Sequence, residues 1–397
     1  MVAALASPSA RAASNLQFLP SIEAFFFHDG NVAVTGSNAT SDQVGRLQAN
    51  LNLQSRSRTT QWDFGYSIYR ENFKDLSELD NTGMWLATRY RKDTSRRNKY
   101  DLGFFAVRTE RQRIREETIE DPENLVRRVE QDRLRFVANG RVESGKRSFV
   151  RWTGAARVNR YAGDDFTDSD NLDLGVGWGY EVSRKADLGV VYGYSHLEFE
   201  HSGATPVDPV SGLPLPPPPT TNTHLLDLAF DYELGPKAGL RAFVGIQSYD
   251  EDGGNSDTVP SFDFRVRREV TRGSNLLFGV KQGISTGTGR GGATQDYGGY
   301  VSWNYRPGRN YRVIANATYW HRERVGAAAQ GSGNQGFRTL SRFEWTPGEH
   351  VALGVFHSYV DQNGLTTSAG DTSYNTGGIN VRWDIKGRSG RGGSLGR

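Results

Sequence analysis

Gln131-Asp132-Arg133-Leu134-Arg135-Phe136-Val137-Ala138-Asn139-Gly140-Arg141-Val142-Glu143 is an extended segment with two unlike faces. Leu134, Phe136, Ala138, Gly140 and Val142 fall on one side, and Arg133, Arg135, Asn139 and Arg141 on the other, because successive side chains of a strand point to opposite faces. Ser144-Gly145-Lys146 follows with tight-turn chemistry, and the alternation resumes over Arg147–Asn159. A slip of one residue would exchange the two faces, so the register of such a strand is strongly specified.

The same reading extends outward in both directions. Leu47, Ala49, Leu51 and Leu53 oppose Gln48, Asn50, Asn52 and Gln54; Trp62, Phe64, Tyr66 and Ile68 oppose Gln61, Asp63 and Ser67. The connections alternate in length. Short ones are Arg56-Ser57-Arg58, Ser144-Gly145-Lys146, Ser183-Arg184-Lys185, Gly235-Pro236-Lys237, Thr271-Arg272-Gly273, Pro307-Gly308 and Pro347-Gly348, and between them lie longer polar loops. A soluble sandwich mixes its loop lengths, whereas a membrane barrel has short turns at one rim and long loops at the other. The expected fold is therefore all-β: a single closed antiparallel transmembrane β-barrel of about eighteen strands, with sixteen the nearest alternative, in the bacterial outer membrane. Its expected extent is residues 15–385, with both ends on the short-turn, periplasmic side.

Composition agrees with a barrel. The chain has 397 residues, of which only 36% are hydrophobic, yet it carries 47 Gly, 20 Phe, 17 Tyr and 8 Trp. So little aliphatic content would not fill a large soluble core, but a barrel needs only one outward apolar band. No segment approaches the roughly twenty apolar residues of a membrane helix. With no Cys in the chain, disulfides, thiolate nucleophiles and Cys-based metal sites are excluded. Met1–Ala6 followed by Ala10-Arg11-Ala12 has the form of the end of a secretion signal with its cleavage site, without the charged leader. Residues 1–14 are thus expected to be a residual signal-peptide end, with a mature start near Ala13, and residues 386–397 a basic, Gly-rich periplasmic tail. Aromatic pairs near strand ends, Trp178 with Tyr180 and Trp303 with Tyr305, together with Trp345 and Trp383, are expected to form a girdle at headgroup level.

The polar face is unusually rich in arginine. Arg133, Arg135, Arg141, Arg151 and Arg157 crowd two adjacent strands and are the expected lumen selectivity residues, an electropositive arc for anionic solutes. Further lumen positions are Arg265, Arg267, Arg312, Arg338, Arg342 and Arg382, with Asp63, Asp173, Asp227, Asp231, Glu233, Asp263, Glu344 and Asp384 as acidic neighbours. Cross-strand ion pairs that rigidify the wall are the competing reading. The longer loops are acidic, as at Asp164, Asp165, Asp168 and Asp170 or Asp250, Glu251, Asp252 and Asp257, and would bridge to lipopolysaccharide phosphates through divalent cations. One loop contains Pro214-Leu215-Pro216-Pro217-Pro218-Pro219, a stiff stretch that cannot join a ladder.

His28, His196, His201, His321 and His357 lie near outer strand ends, but no Ser or Asp accompanies any of them in a catalytic motif. No catalytic residue, metal site, cofactor or nucleic-acid contact is expected, and the protein is not expected to be an enzyme.

Two resemblances add to this. Thr376-Gly377-Gly378-Ile379-Asn380-Val381-Arg382-Trp383 resembles the C-terminal signal of outer-membrane proteins, which implies that Thr376, Gly378, Val381 and Trp383 are read by the barrel-assembly machinery; here the strand continues into Asp384 and Ile385. Leu19-Pro20-Ser21-Ile22-Glu23-Ala24, the hairpin from Gln43 to Arg70 and that from Leu174 to Tyr194 resemble the β-barrel porins found with exopolysaccharide synthesis and export genes. That resemblance implies a channel for secreted polysaccharide or another anionic carbohydrate, working with a periplasmic polysaccharide-export protein. The alternatives are a general diffusion porin for small solutes and a plugged structural or surface-binding barrel.

Overall fold

A computed structural model describes residues 15–32, 40–95, 98–109, 131–162, 167–201, 220–252, 255–286, 293–324, 333–364 and 372–385. They form eighteen strands and one 3₁₀ turn, Ser77–Leu79. The strands are β1 (Asn15–Asp29), β2 (Asp42–Arg56), β3 (Thr60–Phe73), β4 (Asn81–Asp93), β5 (Lys99–Thr109) and β6 (Gln131–Glu143). Next come β7 (Ser148–Tyr161), β8 (Thr167–Ser183), β9 (Ala186–His201), β10 (Thr221–Gly235), β11 (Ala238–Glu251) and β12 (Asn255–Thr271). The last six are β13 (Ser274–Thr286), β14 (Ala293–Tyr305), β15 (Tyr311–Arg324), β16 (Gly333–Trp345), β17 (Val351–Gly364) and β18 (Thr372–Asp384).

Every strand pairs antiparallel with the next, and β1 pairs with β18 from Ser21 opposite Asp384 to Asp29 opposite Thr376. The sheet is therefore closed, with eighteen strands rather than sixteen. Closure is the only way a sheet can cross hydrocarbon without an unpaired edge. Both β1 and β18 have their outer termini on the short-turn side: Ile385 N–H donates to the Pro20 carbonyl at 3.0 Å.

Several strands run further outward than the sequence pattern indicates. β8 begins at Thr167 and β12 at Asn255, so Asp168, Asp170 and Asp257, expected in loops, are strand residues. A polar side chain does not end a ladder while the neighbouring backbone is still present. Arg160 of β7 pairs with Asp170 of β8 at 2.5 Å, and the Tyr161 amide donates to the Asp168 carboxylate at 2.8 Å. Asp164, Asp165, the proline stretch 214–219, the signal end 1–14 and the tail 386–397 lie outside the described residues.

Burial is inverted relative to a soluble protein. Leu134, Phe136, Leu174, Val176 and Leu228 face outward and are exposed, whereas Ser67, Thr221 and Asn380 face inward and are buried. The outward aromatics form the expected girdle at the short-turn rim. Trp178 stacks with Tyr180 and Trp303 with Tyr305, and exposed Trp345 and Trp383 continue the belt. At the opposite rim Tyr192 and Tyr194 pack beside His224, and Tyr297 beside His321. The closed wall, the apolar exterior and the asymmetric rims make this a barrel of the bacterial outer membrane.

The turns follow local chemistry. The two-residue connection at Arg272-Gly273 comes after a register shift between Glu269 and Thr271, and Gly273 has φ +86°. Only glycine takes this conformation without strain, and a Cβ there would also lie 2.7 Å from the Arg306 carbonyl oxygen. Gly273→Val is expected to destabilise the barrel by about 1–3 kcal/mol, read from the urea midpoint of unfolding in lipid vesicles. Phe136→Arg puts a guanidinium into lipid near the middle of β6 and should cost about 2–4 kcal/mol in the same assay. An unchanged midpoint for Phe136→Arg would contradict the assigned register.

Candidate functional site: the lumen wall

Register defines the lumen wall. Arg133, Arg135, Val137, Asn139 and Arg141 of β6 face inward opposite Asn159, Arg157, Ala155, Thr153 and Arg151 of β7. Two pairs of like charge therefore stand directly across from each other, Arg135 with Arg157 and Arg141 with Arg151. Like charges so placed repel unless something compensates them.

For the lower pair the compensation is complete. Arg141 lies 3.2 Å from both Glu181 and Asp187, and Arg151 lies 2.7 Å from Asp231 and 3.5 Å from Asp187. Arg241 of β11 holds the other Asp231 oxygen at 2.6 Å. Three guanidiniums and three carboxylates thus form one neutral network across six strands, from β6 to β11. Its centre is Phe149, with the Arg141 guanidinium 3.5 Å and that of Arg151 4.7 Å from the ring centroid. Such cation–π contacts strengthen as the groups lose water. Phe149 can lie flat on the wall because its partner in register is Gly179; a Cβ there would come within 2.3 Å of the ring. Gly175, Gly177 and Gly179 share the inward face of β8, a spacing of two that makes room for Thr153 and Phe149 of β7 and Val191 of β9.

The upper arginines have different surroundings. Arg133 donates to the Asn159 side-chain oxygen at 3.1 Å, and Asn159 in turn donates to Ser169 at 3.0 Å. Arg157 makes no ion pair among the described residues. Beyond them Asn171 donates to Ser195, whose hydroxyl donates to Asp173 at 2.7 Å. The five arginines expected to act together are therefore divided by their partners. Arg141 and Arg151 are tied into a neutral cluster, while Arg133, Arg135 and Arg157 stand higher on the wall.

Further charge clusters line the rest of the wall. Glu23 of β1 accepts from Asn380 of β18 at 2.6 Å and lies 3.4 Å from Arg342 of β16, while Arg382 lies 3.3 Å from both Glu344 and Asp384. This cluster bridges the closure between the first and last strands. Higher up, Arg46 pairs with Glu71, both buried, and its guanidinium sits 4.3 Å over the Tyr69 ring. Arg89 and Arg91 share Asp101, and Arg322 pairs with Asp296. Arg46, Arg89, Arg91, Arg241 and Arg322 are lumen residues that the sequence reading passed over, although the period-two rule applied to their strands would have placed each of them inward.

The outer half of the lumen beside β1–β3 is narrowed by apolar side chains. Phe25, Phe27, Val44, Phe73 and Phe356 pack with Val32, and Leu76 and Leu79 close over them. The loop residues are held from below by one carboxylate: Asp42 accepts from the amides of Asp75 and Leu76 at 3.0–3.2 Å. Of the C-terminal signal residues, Thr376 is buried on the inward face, and a Cβ on Gly378 would meet Phe27, whereas Val381 and Trp383 face lipid. His196 and His321 point outward and bond to Asn222 and Glu323 at the outer rim, not into the lumen.

No family model and no curated protein matches the chain. Among solved structures it is similar to OpdQ of Pseudomonas aeruginosa, at 9% identity over 94% of this chain and 98% of that one, with a TM-score of 0.45. It is similar to the outer membrane protein OpdK of the same organism at 10% identity, 94% and 98% coverage and a TM-score of 0.45. It is also similar to OccAB3 of Acinetobacter baumannii at 9% identity, 94% and 99% coverage and a TM-score of 0.44. Identities and scores this low transfer no substrate to the present chain.

Proposed function

We propose that this barrel is a passive outer-membrane channel for small hydrophilic solutes, with a preference for anions set by Arg133, Arg135 and Arg157. The observation that carries the reading is the arrangement of β6 and β7. Arg135 stands opposite Arg157, Arg157 has no ion pair among the described residues, and Arg133 donates to the Asn159 side-chain oxygen. A cation without a counter-charge, as Arg157 is among the described residues, concentrates anions beside it on a low-dielectric wall. Arg141 and Arg151, expected to share this role, contribute little net field because Glu181, Asp187 and Asp231 neutralise them together with Arg241.

The outer half of the lumen supports a small cargo. A conduit for secreted polysaccharide needs a bore that is clear along its length. Here the cluster of Phe25, Phe27, Val44, Phe73 and Phe356 with Val32 takes up space beside β1–β3. This favours small solutes over a polymer, and with it a general porin over a partner of a polysaccharide-export protein.

Planar-bilayer recording under a salt gradient tests the proposal. Wild type is expected to be anion-selective, and Arg133→Ala/Arg135→Ala/Arg157→Ala to shift the permeability ratio toward cations by about threefold. The double change Arg151→Met/Asp187→Asn is neutral in charge and should leave the ratio unchanged. Cation preference in wild type would reject the selectivity, and a barrel without conductance would reject the channel.

A further inference from the structure

The seam between β12 and β13 is unlike its neighbours. Its ladder runs outward from Thr271 opposite Ser274 and ends at Phe262 opposite Gln282. Both strands nevertheless continue, β12 to Asn255 and β13 to Thr286. Each continuation stays paired on its far side: β12 with β11 as far as Asn255 opposite Glu251, and β13 with β14 as far as Thr286 opposite Ala293. Two extended segments thus part from each other while remaining in the wall.

Parting leaves backbone groups without partners, and hydrocarbon offers none. Two residues meet this cost. Pro260 lies within the parted segment of β12 and brings no N–H to satisfy. Gln247 of β11 reaches past β12 to β13. The Ile284 amide donates to Gln247 Oε1 at 2.7 Å, and Gln247 Nε2 donates to the Ile284 carbonyl at 3.2 Å. One side-chain amide supplies β13 with the pair of bonds that β12 would have made.

The position gives this gap a use. Ile284 is ten residues above Ser274, about 33 Å along the strand and about 25 Å in height at the usual tilt, which is the top of the apolar band. On the inner side are Gln247, Asp227 and Ser261, whose hydroxyl donates to Asp227 at 2.6 Å. On the outer side Val244, Ile246 and Pro260 are exposed to lipid. An opening here joins a polar lumen to the acyl chains of the outer leaflet. We propose that the outer part of the β12–β13 seam is a lateral portal, latched by Gln247, that admits an amphiphile with its polar head on the lumen side and its acyl chain on the lipid side. The inference goes beyond axial permeation and does not depend on which solute passes along the barrel.

The absence of native cysteine makes a single thiol an unambiguous reporter. Ser261→Cys is placed in the full-length barrel in vesicles doped with a phospholipid that carries maleimide on its head group. Ser302→Cys, inward-facing on β14 where the ladders on both sides are intact, is the control. A soluble maleimide, measured on each, normalises for general reactivity. The ratio of lipid-borne to soluble labelling is expected to be about tenfold higher at position 261 than at 302. Gln247→Ala should raise it about tenfold further at 261 alone, the scale of losing two ordinary hydrogen bonds that hold the closed state. Equal ratios at the two positions in the parental barrel overturn the portal, and this comparison stands even if the Gln247 variant does not fold. A high ratio at 261 that Gln247→Ala leaves unchanged overturns the latch.

Discussion

A peptide group inside a bilayer has no water to bond, and an unpaired one is costly enough to decide architecture. The rest of this molecule depends on that constraint. It explains why β1 returns to β18, why each strand lies antiparallel to its neighbour, and why β12 and β13 part beside a proline and under a glutamine side chain. The lumen, by contrast, is free to carry charge, because water and opposing side chains can satisfy it there.

Charge in the lumen is arranged locally. Many of its guanidiniums are met by carboxylates from the next one to three strands, so the wall carries small, nearly neutral clusters. Arg141, Arg151 and Arg241 with Glu181, Asp187 and Asp231 are one such cluster, and the group around Glu23 and Glu344 is another. Ion pairs in such a setting contribute modestly to stability, but they fix side-chain positions. Against this background stands Arg157 of β7, which faces Arg135 across the ladder and makes no ion pair among the described residues.

Glycine and aromatic residues set the depth of the lumen wall. Phe149 rests on Gly179, and Trp320 occupies the space over Gly336, where a Cβ would come within 2.2 Å of its ring. Large rings thus lie along the wall instead of across the bore. In the Phe25, Phe27 and Phe356 cluster, where Gly378 is the register partner of both Phe27 and Phe356, the rings pack on one another.

The strand alternation in segments such as Gln131–Glu143 and the alternation of turn lengths determined the class, the closure and the inward face of each arginine. These are local properties, fixed by the period of two and by turn chemistry. Strand ends were less legible at the outer rim, because Asp168 and Asp257 look like loop residues until a neighbouring strand is present to pair with them. Which arginines are neutralised was not legible at all. Arg141 meets carboxylates forty and more residues away, and Arg157 does not, a difference that depends on stagger between strands rather than on sequence spacing. The parting of β12 from β13 belongs to the same category: Pro260 is visible in the sequence, but only the curved wall brings Gln247 of β11 to the backbone of Ile284.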